Sequence, residues 1–318
     1  MVISWKRTLP QYADRLQTLS RFHLSGSEPE QASQRCQFTS DRVLVLHIRY
    51  IATARTISIS DSKFRLWWPS RIMQVMKNIR MTVEYDGTSF AGWQRQSGSF
   101  VTVQGVIEAA LCKILQEQVS LAAAGRTDKG VHARAQMANF NTDSLMEPAR
   151  IAHSLNSLLP KTIRISDPAE VDFDFHARHS ARERQYRYFL LEQPSAIYGR
   201  FAGCSFGKLD LALMQQLASH LVGTHDFSAF SRENRDNPGR ICTVTACKWY
   251  QHKHYLVLRI SADRFLRSMV RYLVDAMIRA GKGMLSTEEF SRMLESGVMT
   301  SQLNPAFPGG LFLWKVSY

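Results

Sequence analysis

The segment MKNIRMTVEYDGTSF, residues 76–90, sets the pattern for the rest of the chain. Apolar and polar side chains alternate along it, which is the period of two expected of a strand with one buried face. The apolar members are Ile79, Met81, Val83 and Tyr85. Asp86-Gly87-Thr88 follows and predicts a turn. A compact domain is therefore expected to begin at Met76 with a half-buried strand.

Helices and strands alternate after this first strand. Thr102 is placed to cap a helix whose apolar residues recur at i, i+3 and i+4 up to Leu115. A small-residue strand, VSLAAAG (119–125), leads into a loop, and a second strand, AQMANFNT (135–142), leads out of it. Further helices are predicted over 146–159, 209–221, 265–281 and 286–296, and further strands at 162–166, in a hairpin over 243–262 and at 310–318.

The fold class follows from the short turns that join several of these strands. They favour antiparallel sheets with helices on one face, an α+β arrangement built from two similar halves that meet near residue 180. The expected division is an N-terminal extension over 1–75, an N-terminal catalytic part over 76–178 and a C-terminal part over 179–318. The extension is expected to be non-catalytic or to reflect a translation start placed too far upstream.

Charge indicates the class of partner. Among 318 residues there are 40 Lys and Arg against 27 Asp and Glu, a formal net charge of +13. Such an excess favours an anionic partner, and nucleic acid is the commonest one. Charge alone leaves open that the protein binds nothing acidic.

Several classes of site lose support. The five cysteines form no CxxC pair, which argues against a disulfide framework or a thiolate zinc site and fits a reducing compartment. No apolar run of about 18 residues predicts a transmembrane helix. Neither a G-x-G-x-x-G, a P-loop, an HExxH nor a G-x-S-x-G is present. We expect neither a cofactor nor a metal, and chemistry that a carboxylate can perform.

The loop GRTDKGVHA, residues 125–133, holds the candidate carboxylate. Its one acid, Asp128, stands among Arg126, Lys129 and His132. The neighbouring cations would keep Asp128 ionised even if it were partly buried. An ordinary surface pairing of Arg and Asp is the alternative, and such pairs contribute little to stability.

Two more basic segments could join this loop. One runs from His176 through Arg178 to Tyr186 and Arg187, and the other is the predicted helix that carries Arg267 and Arg271 one turn apart on a shared face. Such a face could present one guanidinium to a carboxylate and another to a phosphate. Tyr186 could equally be a plain strand residue, and Arg271 could be a buried structural partner.

These segments together resemble one enzyme family. GRTDKGVHA, YDGTSFAGWQRQ with VQG, FHARHSARERQYRY, GTHDFSAF and FLRSMVRYLV resemble the TruA-type tRNA pseudouridine synthases in order and spacing. The resemblance runs from Met76 to the C-terminal NPAFPGGLFLWKVSY. Residues 1–75 have no counterpart in it, and Arg240-Ile241 replaces the more usual Arg-Thr.

The resemblance implies an isomerase that converts uridine to pseudouridine in the anticodon arm of tRNA, at positions 38 to 40. Asp128 would be the nucleophile, with Arg271 paired to it and Tyr186 stacked on the base and assisting proton transfer. Arg126 would flip the base, and the expected contributors to substrate binding are Lys129, His132, Arg178 and Arg267. The implied fold is two ferredoxin-like halves that share a central antiparallel sheet with the catalytic cleft between them.

The family also implies a homodimer that binds tRNA without a membrane or a metal. Cytoplasmic location is the default expectation, or an organelle if residues 1–75 are a transit peptide. An RNA-binding protein that has lost catalysis is the alternative, and the acid of GRTDKGVHA speaks against it. A hydrolase that uses Asp128 on a small substrate is a third possibility, but no base or metal partner is suggested by spacing.

Overall fold

A computed structural model of the chain describes residues 76–232 and 239–318. The predicted extension over 1–75 lies outside the described residues, so its status stays a prediction. No helix in the described ranges is long and apolar enough to cross a membrane.

The first part of the described chain has two main helices and four strands. In chain order they are β1 (Lys77–Tyr85), α1 (Val103–Leu115), β2 (Ala122–Ala123), β3 (His132–Thr142), α2 (Pro148–Leu158) and β4 (Ile163–Val171). The second part contains β5 (Glu183–Leu191), β6 (Gly203–Cys204), α3 (Leu211–His220), β7 (Gly223–Asp226), β8 (Ile241–His252), β9 (Tyr255–Ala262), α4 (Met269–Gly281), α5 (Thr287–Ser296) and β10 (Leu311–Ser317).

One large sheet runs through both parts in the order β4-β1-β3-β10-β5-β9-β8-β7. A mixed α/β architecture with a central sheet and few helices is therefore confirmed. The expectation of a purely antiparallel sheet is wrong, because β10 pairs parallel with β3 and the short β6 pairs parallel with β5. The C-terminal strand β10 joins the two parts by pairing antiparallel with β5 and parallel with β3, where Phe312 faces His132. Through β10, the strands of the two parts form one continuous sheet.

The core follows the periodicities of the sequence. Ile79, Met81 and Val83 of β1 are at most 1% exposed, as expected of the apolar face of a half-buried strand. Thr102 caps α1 by accepting a hydrogen bond from the Gly105 amide at 3.3 Å. Met269 and the residues one and two turns later in α4, Leu273 and Met277, are fully buried and form the apolar face of that helix.

The start of α4 differs from the expectation. The helix begins at Met269 rather than near 265, because Ser268 has a left-handed backbone conformation with φ +60°. Arg267 therefore lies in the preceding loop, where its carbonyl accepts the Arg232 amide at 3.1 Å. The prediction that Arg267 and Arg271 share a helical face is wrong.

Candidate active site

The loop that carries Asp128 is fixed on both sides of the carboxylate. On one side, the Gln136 amide donates to the Gly125 carbonyl at 2.7 Å and accepts the Gly125 N–H at 3.3 Å. On the other, the Thr127 hydroxyl lies 2.7 Å from the Tyr85 hydroxyl, and the Thr127 carbonyl accepts the Trp93 amide at 3.1 Å. These contacts hold the backbone around Asp128 in one conformation.

Two glycines let the segment YDGTSFAGW pack against this loop. A Cβ on Gly87 would lie 1.9 Å from the carbonyl oxygen of Val131, and one on Gly92 would lie 2.8 Å from that of Thr127. Gly92 also has φ +108°, a backbone conformation that residues with a Cβ rarely adopt. The sequence indicated a turn here, and the structure shows that the turn also supports the Asp128 loop.

The carboxylate of Asp128 receives two side-chain donors from the start of α4. Its Oδ2 accepts the Ser268 hydroxyl at 2.7 Å and Nη1 of Arg271 at 2.9 Å. The side chain of Asp128 is 27% exposed and that of Arg271 is 13% exposed. The pair is therefore partly shielded from water while the acid still reaches the cleft.

The guanidinium of Arg271 is held from behind. Its Nε donates to the Ala306 carbonyl at 2.7 Å, and the Ala306 amide donates back to the Arg271 carbonyl at 3.1 Å. Nη2 lies 3.5 Å from the Pro305 carbonyl. A guanidinium with these fixed partners presents its remaining donor to Asp128 in one orientation.

Tyr186 lies on β5 and lines the same cleft. It is 7% exposed, and its ring meets Phe265 edge to face at 5.0 Å. Burial raises the pKa of the Tyr186 hydroxyl above its usual range, and the negative charge of Asp128 raises it further. The phenol is therefore neutral at physiological pH.

The cleft is large and its walls are basic. Its volume is about 1630 Å³, whereas small-molecule pockets span about 300–1,000 Å³. Arg126, Lys129, Arg178 and Arg267 all line it and are exposed. The other cationic side chains along it are Arg184, Arg200, Arg232, Arg240, Arg264 and Arg271, whereas the acids that line it among residues 76–232 and 239–318 are Asp128 and Asp263. An extended basic cleft of this size suits a nucleic acid.

The model of the tRNA pseudouridine synthase family matches residues 81–180 and 217–318. The chain belongs to the tRNA pseudouridine synthase family. The interpretation of the sequence as an isomerase that acts on uridine in tRNA is confirmed by this membership.

Relatives with the same family name extend over the same portion of the chain. tRNA pseudouridine synthase A of Pelodictyon phaeoclathratiforme is 82% identical over 243 residues, which are 76% of this chain and 100% of that protein. The enzyme of Chlorobium phaeobacteroides is 63% identical, over 76% of this chain and 94% of its own length. The enzyme of Acetivibrio thermocellus is 38% identical, over 76% of this chain and 100% of its own length.

Arg184 lies in the segment from His176 to Arg187, and its guanidinium has a structural place in the synthase. It is 9% exposed and donates to four carbonyls rather than facing the cleft as a free cation. The acceptors are Ala124, Arg178, Ala181 and Asp263. Burial is the main cause that lowers the pKa of this guanidinium. Arg184 thus ties together three backbone segments that border the cleft.

His132, expected among the substrate-binding residues, does not line the cleft of the synthase. Its ring is 1% exposed, stacks on Phe312 at 4.6 Å and accepts the Gly87 amide at Nδ1. Burial lowers the pKa of His132, and the nearby Asp86 charge only partly opposes this. Since Nδ1 is an acceptor, His132 is neutral there, and its contact with Asp86 is not an ion pair. The physical reason is the β3–β10 pairing, which covers the ring.

Sequence reasoning missed two kinds of residue in the synthase. Ser268 contacts the carboxylate directly, yet a serine inside the helix predicted over 265–281 carries no distinguishing pattern. Gln136 holds Gly125 from within a strand, where alternation indicates only which face a residue is on.

No group of three or more metal-ligating side chains occurs among residues 76–232 and 239–318.

Proposed function

We propose that this synthase converts uridine to pseudouridine at positions 38, 39 and 40 of the tRNA anticodon arm, with Asp128 as the nucleophile. The observation that carries the proposal is the Asp128 carboxylate, bound through Oδ2 by Ser268 and Arg271 at the wall of a long basic cleft. The reaction breaks the bond between N1 of uracil and C1′ of ribose. It joins C5 to C1′, releases the hydrogen of C5 as a proton, and adds a proton to N1, so that product and substrate are isomers.

The assignments to Asp128 and Arg271 rest on their pairing. The hydrogen bonds from Ser268 and Arg271 both fall on Oδ2 of Asp128, and we assign the attack on the nucleoside to Oδ1. Arg271 keeps the other oxygen in place and favours the ionised form of the acid through its charge. Chemical trapping of the covalent adduct distinguishes attack on C1′ from attack on the base.

Tyr186 and Arg126 are assigned to the handling of the target base. The neutral phenol of Tyr186 and the edge of Phe265 form an aromatic wall beside the carboxylate, suited to stacking a base and to relaying a proton. Extruding a base from a stem costs a few kcal/mol. Arg126 is exposed two residues before Asp128, in position to occupy the space that the base leaves.

Lys129, Arg178 and Arg267 are proposed to bind phosphates. All three are exposed on the cleft, and cations of this kind position an RNA without reading its sequence. His132 is not included, since its buried ring is occupied by Gly87 and Phe312.

The finer fold assignment is two ferredoxin-like halves, over 76–178 and 179–318. The strand order β4-β1-β3-β2, with helices after β1 and β3, supports it for the first half. The order β10-β5-β9-β8, with helices after β5 and β9, supports it for the second. Each is the order that a β-α-β-β-α-β unit produces.

A homodimer and a cytoplasmic location complete the proposal. Phe189, Phe312 and Trp314 stand half-buried on the face of the sheet opposite the core, with Arg187 over Trp314 at 4.0 Å. Such a face could be covered by a second copy. The described cysteines, Cys112, Cys204, Cys242 and Cys247, are free thiols, which suits a reducing compartment.

The test uses a tRNA transcript labelled with tritium at C5 of uridine. Wild-type protein should release tritium to water, whereas Asp128→Asn should bind the transcript and release none. Asp263→Asn is the matched control, because it alters the other acid of the cleft and should keep turnover. Replacing uridines 38, 39 and 40 singly by cytidine assigns the position. Release by Asp128→Asn at the wild-type rate would refute the proposed nucleophile.

A further inference from the structure

Ser268 combines two features that do not usually occur together. It is the residue before the first turn of α4, where a serine ordinarily accepts a backbone amide of the helix through its side chain. Here it makes no such capping hydrogen bond. Its hydroxyl instead donates to Oδ2 of Asp128 at 2.7 Å.

The backbone of Ser268 is strained for a residue with a Cβ. Its φ of +60° and ψ of +8° are left-handed, a conformation that glycine adopts freely and serine does not. A glycine would therefore fit the turn into α4 with less strain, but it would lack the hydroxyl. Backbone strain of this kind clusters at functional sites because it is part of their preorganisation.

The two donors on Asp128 come from one rigid turn. The carbonyl of Ser268 accepts the amides of Arg271 and Tyr272 at 3.0 and 3.1 Å, so the hydroxyl and the guanidinium approach the carboxylate from the same first turn of α4. Both bind Oδ2, and together they fix the plane of the carboxylate. The carboxylate held in this way lines the cleft and is 27% exposed.

We propose that Ser268 is a positioning residue for the reaction, whose hydroxyl holds the Asp128 carboxylate in its reactive orientation. This inference rests on the proposed role of Asp128 as the nucleophile. The hydroxyl of Ser268 is engaged with Asp128, and we assign it no contact with the substrate. It acts by restricting the rotation of the acid, and a small misplacement of a reacting group is sufficient to slow an enzyme.

The informative variant is Ser268→Gly, because stability and turnover should respond to it in opposite directions. The glycine relieves the left-handed strain, so the melting temperature should stay the same or rise. The hydroxyl is lost, so kcat for tritium release should fall about tenfold, equivalent to about 1.4 kcal/mol. KM for the tRNA should stay within a factor of two, since no phosphate contact changes.

Two further variants separate orientation from structure. Ser268→Asn keeps a donor in a residue that tolerates the left-handed conformation, so it should recover most of the lost kcat. Ser286→Gly is the matched control, because Ser286 caps α5 by accepting the Glu289 amide at 3.1 Å and is not among the residues that line the cleft. It should leave kcat unchanged and lower stability slightly.

The outcomes distinguish this inference from the proposed function. If wild type releases no tritium, or if Asp128→Asn releases it normally, the proposed function fails. If those two behave as expected but Ser268→Gly keeps the wild-type kcat, the positioning role alone is overturned. A loss of kcat that tracks a loss of stability, with no recovery in Ser268→Asn, would also overturn it by making Ser268 a structural residue.

Discussion

Replacing Arg184 by methionine should destabilise the synthase more than any other single change of a cleft-lining cation. Methionine keeps a long unbranched side chain but removes every donor. The carbonyls of Ala124, Arg178, Ala181 and Asp263 then lose a partner. Because these carbonyls belong to different segments around the cleft, the loss also loosens the site.

The size of the effect follows from the exposure of the acceptors. Ala124 is 2% exposed, so its carbonyl would bear a full penalty for an unsatisfied buried group, about 1–3 kcal/mol. Arg178 and Asp263 are exposed, so water can replace much of what they lose. We expect a total of about 3 kcal/mol, which lowers Tm by about 6–12 °C for a domain of this size.

The measurement is urea unfolding of the full chain, followed by tryptophan fluorescence and circular dichroism. Arg187→Met is the matched control, since Arg187 lies on the same strand but stacks on Trp314 at 4.0 Å. Its loss should cost about 0.5–1 kcal/mol. Equal destabilisation by the two variants would refute the view that the four carbonyl contacts of Arg184 stabilise the fold.

Three more predictions concern the loop, the base and the pH dependence. Gly92→Ala should lower both stability and kcat, because its Cβ would lie 2.8 Å from the Thr127 carbonyl oxygen. Gly283→Ala is the control: Gly283 has φ +71° and open space around it, so the change should lower the free energy of unfolding by only about 1–2 kcal/mol and leave kcat intact. Equal kcat in both variants would contradict the role of Gly92 in supporting the loop. Arg126→Ala should bind tRNA with little change in Kd, measured by filter binding, but should release tritium slowly. Tritium release at the wild-type rate would exclude a role of Arg126 in base flipping. His132 has a lowered pKa in the folded state, so the unfolded chain binds more protons and the free energy of unfolding should fall as pH drops below about 6.5. His132→Phe should flatten that decline between pH 7 and 5.5 in urea titrations. The pKa of Asp86 is also lowered, but the protonation of this acid changes stability only near and below the ordinary pKa of an aspartate. Parallel stability curves for the wild type and His132→Phe would argue against His132 as the source of the decline.

Local pattern was sufficient wherever one element decides its own structure. The alternation from Ile79 to Tyr85 predicted β1 and its buried face, and Thr102 predicted the start of α1. The loop GRTDKGVHA led to the enzyme family through the kind and order of its residues. In each case the relevant interactions lie within a few residues along the chain.

Longer-range contacts defeated the same reasoning. The start of α4 was placed too early because apolar spacing continues through Phe265 and Leu266, while the turn at Ser268 is stabilised by Asp128, 140 residues away in sequence. The structural role of Arg184 was not predicted, because a sequence does not indicate which carbonyls will surround a guanidinium.

The sequence by itself determined most of the helices and several of the strands, the family and the acid on which the chemistry is proposed to depend. The tertiary structure alone decided the orientation of that acid. Periodicity records which face of an element is buried, but a carboxylate is oriented by donors from a distant turn. His132 shows the same limit, since only the parallel pairing of β10 with β3 placed its ring under Phe312 and away from the cleft.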